Sequence, residues 1–316
     1  MNQLLRVELY KSTDKFEWDK FNSEAKNQSL LFYRDYMEYH SDRFRDHSLI
    51  FKLRDEIVAL LPSNVSGDTL YSHAGLTYGG FIVGRRMNSS LMLSIFARLK
   101  SYMGENDLKN LIYKAMPYVY FKMPYQEDLY ALFINNANLI RRDIGTVVPL
   151  GGSVQRSLTR LRKRGIKKAA EDGVLVRRTN EYRTFMDIVK DVLESKYKIK
   201  PVHTWSEIEK LATIFPKNII LYGAFKSERM LAGVLLYISD NVVHAQYGFA
   251  DDEGKRASAL DLLYYNIFND FYEIRPYFSF GISTENNGRY LNENLIRYKE
   301  SLGGFSVVSD FYNLST

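Results

Sequence analysis

The sequence contains no cysteine, which excludes disulfides, thiolate metal ligands and a cysteine nucleophile. Histidine is scarce, with five in 316 residues. No two of them stand at the i, i+4 spacing of a helical zinc pair, so no metal is expected. No run approaches the ~18 apolar residues of a membrane span; the best stretch, Met230 to Ile238, is half that length. The phosphate loop G-x-x-x-x-G-K-[ST] and the dinucleotide fingerprint are both missing. The opening MNQLLRVELYKSTDK has no basic segment leading into an apolar one, so a secretory signal is not expected and the cytoplasm is. What remains is a chain that is 46% hydrophobic and 25% charged, a composition that folds. Its length suggests about two domains.

The net charge is +6, yet it has one source. Arg156, Arg160, Arg162, Lys163, Arg164, Lys167 and Lys168 fall together without an acid among them. Without these seven, 36 basic residues face 37 acidic ones. The basicity is therefore a segment rather than a surface, and no DNA partner is expected. The segment reads either as a solvated helix face or as a contact for phosphate or tRNA.

Short strings recur in the same order in the two halves. His73-Ala74 resembles His244-Ala245, PYVYFK from Pro117 resembles PYFSFG from Pro276, and Asn138 to Arg141 recurs as Asn294 to Arg297. Periodicity gives both halves the order β-α-α-β-β-β-α-β-α-β. In the first half, strands are expected at 5–10, 48–53, 57–62, 70–83 and 118–123. Helices are expected at 14–27, 31–44, from an Asn88 or Ser89 cap to 103, and at 127–136. The second half repeats this, with a hairpin across Lys226 to Arg229 and strands at 242–249 and 277–282. The fold class is α/β (α+β): two domains, 1–152 and 173–316, each a mixed central sheet flanked by helices, joined by a basic helix over 153–172.

This order resembles the GNAT acyltransferase fold, and two copies joined by a basic helix resemble its FemAB-like branch. Arg160 to Val174 is similar to the Arg/Lys-rich connector of FemAB-like proteins, Phe278-Ser279-Phe280-Gly281 to their F-D-F-G strand, and Leu295 to Gly304 to the helix that follows. The resemblance implies transfer of an acyl group from acetyl-CoA or another acyl-CoA to an amine. Bacterial enzymes of this type are often associated with making cell-surface polysaccharides or peptidoglycan, and by that analogy the expected acceptor is an amino sugar of cell-surface polysaccharide biosynthesis. It also implies a donor pocket in the second domain. There the junction after the fourth strand offers Gly248, Phe249, Gly254, Lys255, Arg256, Ala257 and Ser258, where a helix N-terminus and cations suit a pyrophosphate. Asp251 stands where the family carries Gln or Arg, and Arg256 where it carries Gly or Ala. Gly84 to Ser90 has a similar composition, and the residues alone do not choose between the two junctions.

Acyl transfer to an amine needs a proton acceptor, a polarised carbonyl and a proton for the leaving group. His244 is the candidate base, and Glu285 the second; His73 and His244 are equally readable as structural histidines kept from a duplication. Tyr298 is a leaving-group acid by resemblance, or a packing residue. Asn286 and Arg289 are candidates to hold the acceptor, as are His73, Thr77 and Tyr78, the last two in the glycine-rich string Ala74 to Gly80. Those glycines either line an acceptor pocket or let a strand cross its neighbour. Two other functions stay open: a Fem-type transferase using aminoacyl-tRNA to extend a peptidoglycan peptide, and a binding protein that kept the fold without the chemistry.

Overall fold

The computed structural model describes residues 5–151 and 157–316. Ser153 and Arg156 of the basic connector lie outside the described residues. The chain forms two compact units: 1–144 with 284–290 and 308–316, and 145–283 with 291–307. Among the described residues no helix is long and apolar enough to cross a membrane.

The first unit starts with β1 (Leu5–Leu9), α1 (Lys15–Glu24) and the single turn α2 (Arg34–Met37). β2 (Leu49–Leu53) and β3 (Glu56–Leu61) form the expected hairpin, turned by Arg54 in the left-handed region at φ 59°. With β6 (Ile82–Val83) they give an antiparallel sheet in the order β1-β2-β3-β6. β4 (Asn64–Ser66) and β5 (Thr69–Tyr71) pair with each other, and β5 runs parallel to β7 (Asn110–Lys114). Between β6 and β7 lies α3 (Ser89–Glu105), capped by Asn88 Oδ1, which accepts the Leu91 N–H at 3.0 Å. α4 (Glu127–Ile134) follows, and then β8 (Asn138–Pro149), whose residues from 145 on are in the second unit.

Three expectations fail here. The helix expected at 31–44 is only the single turn α2, between 3-10 turns at Leu30–Phe32 and Glu38–His40. The strand is at 110–114 and not at 118–123, where Pro117 and Pro124 bracket a single 3-10 turn, Tyr118–Tyr120. β7 shows the alternation of a half-buried strand, with Leu111 and Tyr113 inside. Nor is 70–83 one strand. After β5 the chain leaves the ladder, with His73 at φ 64°, and the Lys114 ammonium gathers the carbonyls of His73, Ala74 and Leu76 at 3.3, 3.1 and 2.5 Å. The short repeats fall with these strands. His73 sits in this loop while His244 is in a strand, and Asn138 to Arg141 is strand while Asn294 to Arg297 is helix.

The second unit opens with α5 (Arg160–Glu171), the basic helix, then β9 (Leu175–Thr179), α6 (Tyr182–Val192) and α7 (Trp205–Ile214). β10 (Ile219–Lys226), β11 (Arg229–Ile238) and β12 (Val242–Ala250) form a meander. Next are α8 (Asp252–Arg256), α9 (Ala259–Phe271) and β13 (Tyr277–Ile282). A small hairpin, β14 (Thr284–Glu285) and β15 (Tyr290–Leu291), precedes α10 (Glu293–Ser301) and β16 (Phe305–Ser315), with 284–290 and the residues of β16 from 308 on belonging to the first unit. The sheet reads β9-β10-β11-β12-β13-β8, antiparallel except for β12 against β13. Gly248 and Phe249 are consecutive on β12 and so face opposite ways: Phe249 meets Phe185 of α6, and Gly248 meets Tyr264 of α9. Helices thus cover both faces, as a sheet apolar on both sides requires.

The first unit's core holds one ionisable group deep inside. Asp128 of α4 accepts the Tyr113 hydroxyl at 2.5 Å and the Leu129 N–H at 2.8 Å, and burial pushes its carboxyl up to about 6. A raised carboxyl favours the folded state while protonated and loses that advantage as pH rises through about 6. Asp128→Asn cannot ionise. Its stability relative to wild type should therefore improve by about 2–3 kcal/mol between about pH 4 and pH 7, measured by urea unfolding at both.

Candidate active site

The ladder between β12 and β13 ends early. Val242, Val243 and His244 pair with Tyr277, Phe278 and Ser279, and no pair follows although β12 continues to Ala250 and β13 to Ile282. Each strand is bent on its other edge at that point. Opposite β11, β12 gains one residue at Gln246; opposite β8, β13 shifts register between Ser279 and Ile282. Extra residues of this kind bend a strand and end pairing. Gly281, at φ 68°, completes the departure of β13.

His244 is thus the last paired residue before the strands part. Its Nδ1 lies 3.2 Å from the Ser279 hydroxyl. Burial, and then the ammonium of Lys299, push its imidazole down to about 4, so it is neutral at pH 7. Lys299 projects from α10 and is 5% exposed. Its Nζ donates to the carbonyls of Gly281 at 3.1 Å and Ile282 at 2.7 Å, on the strand that has left the ladder. Burial lowers its pKa to about 8. An ammonium has three donors, and these carbonyls take two.

Beside Lys299, Tyr298 turns to α9 and donates its hydroxyl to Asp261 Oδ1 at 3.1 Å. Burial, then the Asp261 charge, hold the phenol well above its ordinary range. Arg162 of α5 reaches both Asp261 oxygens from one nitrogen, at 3.0 and 2.9 Å. α5 comes close because it has no side chain at Gly165, where a Cβ would lie 2.7 Å from Asp261 Oδ2 and 3.2 Å from Ser258 Cβ. Lys299 and Asp261 were not singled out in the sequence, and Arg162 was noted only as one of the clustered cations. The available signals were a lysine inside the family-like Tyr298-Lys299 string and an acid within the apolar run of α9.

The junction after β12 is placed as follows. Gly254 is buried, and a Cβ there would lie 2.3 Å from the Leu231 carbonyl oxygen. Its N–H donates to Asp251 Oδ1 at 2.6 Å, and Arg229 pairs with Asp251 and Glu253. Ala257 is buried, and Ser258 turns the chain at φ 56°. Lys255 and Arg256 are exposed, the former paired with Asp252 at 2.8 Å. Two carboxylates therefore stand where a pyrophosphate would need donors, and the amide of Gly254 is already used.

In the first unit, His73 packs beside His40 and Phe44 with ring centroids 5.3 and 5.6 Å away, and burial pushes it down to about 3. Tyr78 is buried against Phe32 and Tyr120, its hydroxyl 2.9 Å from Ser29 Oγ, while Thr77 is exposed. Gly79 is there for space, since a Cβ would lie 1.7 Å from the Ser72 carbonyl oxygen. Glu285, Asn286 and Arg289 are exposed around the β14–β15 turn, with Asn286 at φ 50°. Among the described residues no group of three or more His, Asp or Glu side chains could hold a metal.

A mixed sheet whose two parallel central strands part, with helices on both faces, is the GNAT acyltransferase architecture, as the order of elements implied. Residues 155–300 match the family described as an acetyltransferase (GNAT) domain. The structure of FemX is similar over 98% of this chain and 97% of its own, at 11% identity and a TM-score of 0.70. L-PGS from Bacillus licheniformis is similar over 95% of this chain and 91% of its own, at 12% identity and a TM-score of 0.61. A tandem GNAT protein from the clavulanic acid biosynthesis pathway is similar over 98% of both chains, at 9% identity and a TM-score of 0.51. No protein of curated function matches by sequence. The resemblance to FemAB-like, tandem GNAT proteins therefore stands, and the fold is the one they share.

Gly254 gives a direct check on this packing. Gly254→Ala should lower the thermal midpoint by several degrees, because the added methyl meets the backbone of β11 rather than a movable side chain.

Proposed function

We propose that the chain is an N-acyltransferase that moves an acyl group from an activated donor to an amine at the parting of β12 and β13. The observation that carries this is Lys299, a buried ammonium beside the last paired residues whose three donors meet two acceptors among the described residues. The donor's acyl arm adds along the unpaired edge of β12, as a peptide adds to a sheet edge. The amine attacks the carbonyl carbon; the N–C bond forms and the oxygen takes negative charge beside Lys299. The nitrogen, now cationic and acidic, gives its proton to the neutral imidazole of His244. The carbonyl reforms as the bond to the leaving group breaks, and the leaving group takes the proton that the His244 imidazolium now carries, which restores the neutral imidazole. Tyr298, whose hydroxyl serves Asp261, holds the helix in this reading instead of supplying that proton.

The sequence suggests acyl-CoA as donor and an amino sugar of surface polysaccharide as acceptor. The parting fits the acyl arm. The junction after β12 fits the pyrophosphate poorly, because Asp251 and Glu253 stand at its start. The Fem-type reading, an aminoacyl-tRNA donor, is supported by the exposed face of α5, which carries Arg160, Lys163, Arg164, Lys167 and Lys168, with Arg256 beside it through a Lys168 hydrogen bond of 2.7 Å. Structural likeness to FemX agrees with it. Of the two donors, the charges support the RNA.

The donors separate in one titration. Aminoacyl-tRNA should bind with an affinity that falls about 100-fold between roughly 50 and 200 mM salt, as expected for about four phosphate contacts. Micromolar binding of acetyl-CoA with thiol release on an amino sugar would instead establish the acyl-CoA reading. With either donor, Lys299→Met should reduce kcat by about 10²–10³ while donor binding is kept. Because the cation is the working form, wild-type kcat should fall as pH rises through about 8. Wild-type turnover by Lys299→Met would overturn the assignment.

A further inference from the structure

Lys299 can serve the reaction only if α10 presents it to β13, and successive residues on a helix point about 100° apart. Tyr298 and Lys299 are such a pair, so whatever fixes the direction of Tyr298 also fixes that of Lys299. Three groups hold Tyr298 and its turn, and all come back to one side chain. The guanidinium of Arg162 lies over the Tyr298 ring, 4.6 Å from its centroid. Its Nε donates to Ser301 Oγ at 2.8 Å, and that hydroxyl donates to the Tyr298 carbonyl at 2.6 Å. Its NH1 is held by both oxygens of Asp261, which also accepts the Tyr298 hydroxyl. At the N-cap of α5, three residues before Arg162, the N–H of Thr159 donates to the Ser301 carbonyl at 3.1 Å. α5, α9 and α10 are thus pinned at a single guanidinium, with Asp261 and Lys299 both buried.

We infer that Arg162 is a positioning residue for Lys299: locked to Asp261 and Ser301 and lying on Tyr298, it fixes the rotation of α10 that delivers the Lys299 ammonium to the carbonyls of Gly281 and Ile282. The inference rests on the reading of Lys299 given above for its functional meaning, though not for its geometry. It assigns the connector helix two faces with separate tasks. The exposed cations face outward, whereas Arg162 faces inward and orders the site. A lysine at 162 would keep the charge and lose the fork that engages Asp261 and Ser301 together.

The test follows Lys299 directly, by NMR titration of protein labelled with ¹³Cε-lysine, its resonance assigned by its loss in Lys299→Arg. In wild type this resonance should titrate near 8. In Arg162→Ala the midpoint should rise by about one unit or more, toward an ordinary lysine, as the ammonium regains water. Arg162→Lys should recover part of the difference. On whichever donor gives turnover, Arg162→Ala should lower kcat about tenfold or more with KM for the donor unchanged. A folded Arg162→Ala whose Lys299 midpoint stays at the wild-type value would overturn the inference, as would a wild-type Lys299 that titrates as an exposed lysine does. Should Arg162→Ala not fold because Asp261 is left unpaired, Arg162→Met with Asp261→Asn removes both charges and permits the same reading. An unchanged midpoint there is equally negative. Failure of the catalytic reading is a distinct result: Lys299→Met would turn over normally whatever Arg162 does to the titration.

Discussion

Two parallel strands that stop bonding to each other after three pairs organise the second unit. Everything near the site follows from groups released there. Past Ser279 the backbone of β13 has lost its ladder with β12, and a backbone acceptor turned inward there needs another donor. The Lys299 ammonium supplies it for Gly281 and Ile282. A lysine with that duty is drawn out of water, which lowers its proton affinity; the neighbouring imidazole is lowered first by its own burial and then by the charge of that lysine. Structural need and chemical competence arise from the same contact.

The architecture was legible because long, strongly patterned elements declare themselves. The β10–β11 hairpin and α9 carry unambiguous apolar runs, and the connector announced itself by charge. Between β5 and β7 the pattern misleads. Leu76, Tyr78 and Phe81 are all buried, so the stretch looks like a strand, but they are buried by a loop that Lys114 ties together. Nothing in a linear pattern signals a lysine forty residues away. The three repeated strings misled for a similar reason: two to six residues can match without sharing a conformation.

The site was only half legible. His244 was found because histidines are few. Lys299 was passed over because lysine on a helix is ordinarily solvated, and its burial depends on β13 leaving its partner. The pairing of Asp261 with Arg162 was unreadable for a stronger reason: the buried carboxylate is tolerable because of a guanidinium 99 residues away. Gly165 was the available trace, since glycine within a helix costs about 0.5–1 kcal/mol against alanine and is retained where something must come close.

The first unit is closed by its last segment. β16 pairs with β7, and Asn313 and Asn110, joined by a side-chain hydrogen bond, are separated by 203 positions. At about 5–20 residues per second, the edge of β7 waits on the order of 10–40 s for its partner during synthesis. Throughout that interval the intervening second unit can fold, whereas in the first one edge of β7 is unpaired. Order of synthesis and order of completion are therefore opposed in this chain: the half made first is the half finished last.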